Sequence, residues 1–308
     1  MIMYKRLELH NHTIESDGNL TPSELIDLMC DDKVDAFALT DHNTISGHIK
    51  IQEALAKKNI PLSCIYGMEY TTYYGHILCF DLKEYIPWEN INLHNPELLF
   101  KAIKEKGALA GVAHPFSYGY PIGCCRFEMT FTDYSCLDFI EIFNNPEPLH
   151  EVNEQGLLWW ESLILEGHRI AFTSGMDLHS KDSMHGQFAT FIEGKEKGDI
   201  ITELKQAIHT QRTWVSKGPL LVIEKNDYTK KLYISIQNTT KPGYVEDERP
   251  YLLSLRTKKE TLCFSFNHKA PLIIPYSNLN SSSILIPKLY KDNLEIENLI
   301  AVAPVIYL

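Results

Sequence analysis

From the N-terminus to about residue 215, short apolar or β-branched runs alternate with stretches whose apolar residues recur at helical spacing. The runs fall at 6–10, 36–40, 62–66, 76–80, 108–113, 138–143, 169–173 and 187–193, each of strand length. This alternation predicts repeated βα units around a parallel sheet or barrel. Thr21-Pro22-Ser23-Glu24 predicts a helix start: a threonine cap, a proline pre-set for the first turn, and a glutamate reaching back to the cap. Leu25, Ile26, Leu28 and Met29 then supply its apolar face. Asn95-Pro96-Glu97 opens a second helix that runs to Lys106 and stops at Gly107, and two more cover about 151–165 and 199–209. Trp159 and Trp160 share the helical spacing of Leu157, Leu158, Leu163 and Leu165, so they read as core.

After Gly218-Pro219 the texture changes. Alternating runs such as Leu232-Tyr233-Ile234-Ser235-Ile236, Leu252–Leu255 and Leu262–Phe266 predict antiparallel strands. Two units follow: an α/β unit over 1–218 and a small all-β, sandwich-like unit over 219–308.

A chain of 308 residues has room for both. With 44% hydrophobic and 22% charged residues it has the composition of a packed globular protein. A net charge of -11 argues against broad contact with duplex nucleic acid. Bound cations would offset that charge locally, so an anionic substrate stays admissible. No run reaches the roughly 18 apolar residues of a membrane span, and Lys5, Arg6 and Glu8 interrupt any secretory leader. The seven cysteines show no CxxC spacing, and Cys64, Cys79 and Cys263 lie in strand-like runs, which suits reduced thiols and a cytoplasmic protein. Adjacent Cys124 and Cys125 are poorly placed to bond each other. The pattern specifies no oligomeric state.

Six of the 13 histidines, His10, His12, His42, His76, His114 and His179, stand at or beside the ends of apolar runs. In parallel α/β folds those ends converge on one face. His10-Asn11-His12 has the two-residue spacing that turns both imidazoles to one side of an extended chain. Asp17 follows, with Gly18 permitting a turn that brings the carboxylate back. Thr40-Asp41-His42 ends the second run, Gly67-Met68-Glu69 supplies a carboxylate able to bridge two metals, and Gly75-His76 and His114-Pro115 follow. Asp177-Leu178-His179 closes the set with a second two-residue pair. Nine ligands result: the six histidines with Asp17, Glu69 and Asp177. Mixed imidazole and carboxylate donors suit Zn, Mn or Fe, and burying them together without metal is costly.

The order of these motifs closely resembles the PHP (polymerase and histidinol phosphatase) superfamily of phosphoesterases, over about residues 5–218. The resemblance implies a distorted (β/α)7 barrel with a trinuclear centre, so two or three divalent ions are expected as cofactors. It implies a first metal on His10, His12, Glu69 and Asp177, a second on Glu69, His76 and His114, and a third on Asp17, His42 and His179. Glu69 and Asp177 would then serve catalysis through a hydroxide bridging two metals. Ala207-Ile208-His209 through Gly218-Pro219-Leu220 also resembles a branch with carbaryl-hydrolase-like members and a β-rich tail.

Asp41 is expected either to orient an imidazole or to cap a helix after Asn43. Between Phe116 and Tyr134 lie Tyr118, Tyr120, Arg126 and Phe127; Arg126 either grips a phosphate or sits in a surface ion pair. Asn144-Asn145, Lys181 and His185 are further candidates for substrate contact. The expected function is hydrolysis of a phosphomonoester or phosphodiester in a small phosphate ester, nucleotide or oligonucleotide end. The alternatives are a carbamate or carboxylic-ester hydrolase on the same centre, and a non-catalytic scaffold.

Overall fold

The computed structural model describes residues 2–117, 126–144, 151–245, 249–267, 269–279 and 282–308; Tyr118, Tyr120, Cys124, Cys125 and Asn145 lie outside them. In chain order the first part runs β1 (Ile2–Glu8), α1 (Pro22–Asp31), β2 (Ala36–Leu39), α2 (Gly47–Lys58), β3 (Ser63–Thr72), β4 (Gly75–Phe80), α3 (Pro96–Glu105) and β5 (Leu109–Val112). It continues with β6 (Phe139–Phe143), α4 (Glu151–Glu166), β7 (Ala171–Ser174), β8 (Ala189–Lys195), α5 (Ile200–His209) and β9 (Thr213–Ser216). The expected capping box forms at Thr21 and Glu24, and Pro22, Leu25, Ile26 and Met29 are the buried face of α1. Asp199 caps α5 by accepting from the Thr202 N–H.

The architecture is α/β, but the sheet is mixed. β1–β2, β2–β3, β5–β6 and β6–β7 are parallel. β3–β4, β4–β5, β1–β8 and β8–β9 are antiparallel. β3 runs on to Thr72 and returns through Tyr73-Tyr74, with Thr72 opposite Gly75, a connection too short for the crossover a parallel pair needs.

One core cluster takes Leu7, Ala36, Ala38, Ile65, Leu78, Phe80, Leu109, Phe139, Ala171 and Ile192 from eight successive strands and adds Leu9 just past β1 and Leu204 and Ile208 of α5. β7, last in the strand order, meets β8 and β9 through side-chain bonds, so the sheet curls, and α5 packs against β3, β7 and β8. Among the described residues no ladder joins β7 to β8 or β9. Hydroxyl bonds span that seam instead: Thr190 Oγ1 donates to Ser174 O, and Thr213 Oγ1 to Phe172 O.

The second part comprises β10 (Leu220–Asn226), β11 (Lys231–Gln237), β12 (Tyr251–Arg256), β13 (Thr261–Phe266), β14 (Leu272–Pro275), β15 (Ile284–Tyr290), β16 (Leu299–Val302) and β17 (Ile306–Tyr307). β10, β11 and β14 make a three-stranded sheet. β16 pairs with β9 and with β15, so β12, β13 and β15 extend the first sheet across Gly218-Pro219. Glu161 of α4 meets Lys288 of β15 at 2.5 Å and Arg256 of β12 at 3.0 Å, a buried carboxylate tying the helix to that extension. No described helix is long and apolar enough to cross a membrane.

Candidate metal centre

Glu69 lies within β3 and His76 near the start of β4, while the other candidate ligands follow strand ends, where isolated bridges carry the pairing on. Asn11 bridges Leu178 in parallel, and His42 bridges Glu69. Side chains alternate across a bridge, so His10 and His12 flank Asn11 on the side where Asp177 and His179 flank Leu178. Asn11 turns away and donates to Ala38 O at 2.9 Å. Gly18 is required for a reason other than the expected turn: a Cβ there would stand 2.6 Å from the carbonyl of His12.

All nine predicted ligands gather into contiguous groups. Donor atoms of His10, His12, Glu69 and Asp177 lie within 4.8 Å of one another, as do those of His42, Glu69 and His76, those of His12, Asp17, His42 and His179, and those of His10, His114 and Glu141. Glu69, fully buried, divides its two oxygens. Oε1 faces His76 Nδ1 at 2.8 Å and His114 Nε2 at 3.0 Å. Oε2 faces His42 Nδ1 at 3.0 Å, His10 Nε2 at 3.1 Å and His12 Nε2 at 3.3 Å. Asp177 Oδ1 lies 3.1 Å from His12 Nε2 and 3.3 Å from His10 Nε2. The groups differ in access: His10, His12 and Glu69 are sealed, whereas the side chains of His42, His179 and Asp17 are 19%, 36% and 58% exposed.

This donor set fits divalent cations. Ligand atoms about 2.0–2.2 Å from one ion stand about 3.0–3.4 Å apart, the spacing seen around Glu69 Oε2 and Asp177 Oδ1. Glu69 Oε2, His10 Nε2, His76 Nε2 and His114 Nδ1 are buried without a hydrogen-bond partner among the described residues, and such atoms need a compensating group. Burial opposes charge on His10, His12 and His114, but the facing carboxylates reverse it. His10 lies well above the ordinary imidazole value, His12 is held up to about 9, and His114 is raised. Burial likewise opposes ionised Glu69 and Asp177, yet the imidazoles lower both. At His76 burial outweighs Glu69 and the pKa falls.

The predicted neighbours of the site divide. Asn144 is buried and its Nδ2 donates to Asp177 Oδ2 at 3.2 Å. Arg126 is exposed, with its guanidinium 5.8 Å from the Phe116 ring centre, and Phe127 N–H bonds Pro115 O beside His114. His185 does not turn toward the centre; it pairs with Asp32 after α1 at 3.2 Å. Lys181 is exposed, and Glu24, lowered chiefly by its bonds to Thr21, also feels its charge. Asp41 neither orients an imidazole nor caps a helix. Its carboxylate accepts from the Thr13 N–H at 2.7 Å, from Thr13 Oγ1 at 2.9 Å and from Ser16 Oγ at 2.8 Å, while α2 begins after Ser46. It holds the loop that carries Asp17. Three contacts were not foreseen: Glu141 on His10 Nδ1 at 3.0 Å, Thr71 Oγ1 on His42 Nδ1, and Glu8 on the Met176 N–H at 2.8 Å.

The profile of the PHP domain matches residues 8–269. The chain belongs to the PHP family. This PHP chain is 31% identical over 87 residues to the 5'-3' exoribonuclease Rnm of Escherichia coli (strain K12), a match covering 28% of the chain and 25% of that protein. The chain thus spans about a quarter of the length of that relative. It is 30% identical over 150 residues to an uncharacterized protein of Methanocaldococcus jannaschii, covering 45% of the chain and 81% of the relative. A two-domain protein from Bacteroides vulgatus, described as containing a predicted PHP-like metal-dependent phosphoesterase, superposes with a TM-score of 0.56 at 16% identity, over 100% of this chain and 96% of that one. At that identity the likeness establishes the fold.

Proposed function

We propose that the chain is a metal-dependent hydrolase that cleaves a phosphomonoester or phosphodiester in a small phosphorylated compound, a nucleotide or an oligonucleotide end. The observation that carries the reading is Glu69: a sealed carboxylate whose two oxygens face separate sets of imidazoles. His10, His12, Glu69 and Asp177 would hold one ion, Glu69, His76 and His114 a second, and Asp17, His42 and His179 a third; Mn, Zn and Fe all suit the donors. Bound ions there would activate water and neutralise phosphoryl charge. Asn144 would steady Asp177, and Arg126 would meet phosphate at the rim. The exoribonuclease relatives support a nucleotide or RNA end as substrate. The curled sheet is read as the distorted PHP barrel, and the free thiols of Cys30, Cys64, Cys79, Cys136 and Cys263 suit the cytoplasm.

The test is turnover by Mn-loaded protein on p-nitrophenyl phosphate, its bis ester, nucleotides and a short 5'-phosphorylated oligoribonucleotide. Activity on at least one of these, inhibited by millimolar inorganic phosphate, is expected. Silence across the panel from protein shown to contain metal overturns the reading.

A further inference from the structure

We propose that Glu141 is a positioning residue that fixes the ring of His10 and the backbone turn at His114 together, and so serves two ion positions at once. The inference rests on the metal-centre reading above. Glu141 stands on β6 and is 1% exposed. Its Oε1 lies 3.0 Å from His10 Nδ1, and its Oε2 accepts from the His114 backbone N–H at 3.1 Å.

Both partners must be donors. His10 points Nε2 at Glu69 and Asp177, 3.1 and 3.3 Å away. For Nε2 to offer a lone pair to an ion, the proton must sit on Nδ1, facing Glu141. His114 has φ of +23°, a strained value for a residue with a side chain. The bond from its N–H to Glu141 holds that turn while His114 Nε2 reaches Glu69 at 3.0 Å. A carboxylate has an acceptor oxygen for each donor, whereas a glutamine has one acceptor and would turn an amide N–H toward the other. Gly175 leaves the space: a Cβ there would be 2.5 Å from His10 Cβ and 3.0 Å from Glu141 Oε1.

Glu141 also clusters with His10 and His114 as a possible ligand group. Against direct ligation, its two oxygens already meet two donors, and the partnerless nitrogen of His10 is Nε2.

Two readouts on full-length protein test this role: 15N NMR of labelled histidine rings in the Zn-loaded form, and Mn titration for stoichiometry and affinity. In wild type, His10 should carry its proton on Nδ1. Glu141→Gln should bind as many ions, about 10–100-fold more weakly at two positions, with the His10 Nδ1–H signal shifted or lost. Glu141→Asp, which keeps both acceptors, should recover part of the loss, and it carries the test if the glutamine variant does not fold. Unchanged affinity and an unchanged His10 signal in both variants overturn the proposal. So does loss of one whole ion with His10 unaltered, which would make Glu141 a ligand. Wild-type protein that takes up no Mn overturns the metal-centre reading itself, and this role with it.

Discussion

Asn11 and Leu178 face each other across a parallel bridge, so the two-residue motifs on either side of them present four donors to one another. Asp177 is the member that both His10 and His12 share. Asp177→Asn should therefore lower turnover of the bis ester by about 100-fold or more while circular dichroism stays unchanged, since loss of an orienting partner alone costs about 10–100-fold. A variant with near wild-type turnover would remove Asp177 from the centre.

Ions that bind the folded chain and not the unfolded one stabilise it by mass action. Protein stripped with chelator should melt at lower temperature, and Mn at 100 times its Kd should restore about 2.7 kcal/mol. The same titration on Glu69→Gln should move the melting point far less. Equal shifts in both proteins would place the stabilising ion elsewhere.

Asp41 holds Thr13 and Ser16, two residues of the loop leading to Asp17. Asp41→Ala strands the Thr13 N–H and should cost about 1–3 kcal/mol in urea unfolding. It should also weaken binding of an ion at Asp17, His42 and His179 more than at the sealed groups, which equilibrium dialysis would read. Loss of all ions in parallel would show that the loop is not the point of action.

Glu161 and Lys288 are both buried, 2.5 Å apart. Lys288→Ala leaves a buried carboxylate with only Arg256 and should cost about 3–5 kcal/mol, whereas replacing Glu161 and Lys288 together with leucine and methionine should be close to neutral. Chemical denaturation of the single and double variants distinguishes the two cases. A double variant as unstable as the single one would contradict this account.

Lys241 donates to Met184 O, and burial pushes its ammonium down from 10.5 to about 7. The unfolded chain keeps that proton to above pH 10, so between about pH 7 and 10 it binds more protons than the folded chain. Stability from this group thus rises with pH across the window, by at most about 1.4 kcal/mol per pH unit. Lys241→Met should flatten the rise. Identical slopes for the two proteins would exclude Lys241 as its source.

The meeting of His10 and His12 with Asp177 and His179 was legible because a two-residue spacing at the end of an apolar run turns both side chains to one side, and the helix cap at Thr21 follows from local bonding alone. The direction of β4 was not. Tyr73-Tyr74 lacks the glycine or asparagine that usually marks a tight hairpin, and only the ladder from Thr72 to Gly75 reveals it. β9 was passed over because Thr213–Ser216 is a short run with a polar residue at each end, between Arg212 and Lys217, unlike the mostly apolar runs of β2 and β5. Glu141 hides in Phe-Ile-Glu-Ile-Phe, where one acid among apolar residues reads as a solvent-facing position. Lys181 and His185 were singled out only for nearness in sequence to His179, and that nearness did not foresee the pairing of His185 with Asp32.

β9 is hydrogen-bonded on one side by β8 and on the other by β16, which the chain supplies only at Leu299–Val302. While the protein is being made, the strand at Thr213–Ser216 therefore emerges from the ribosome long before its second partner exists. Until then it offers bare amides and carbonyls that any passing β-segment could capture. A transcript truncated in this interval would release a sticky, half-sewn product, and a chaperone that shields this seam would raise the yield of native protein.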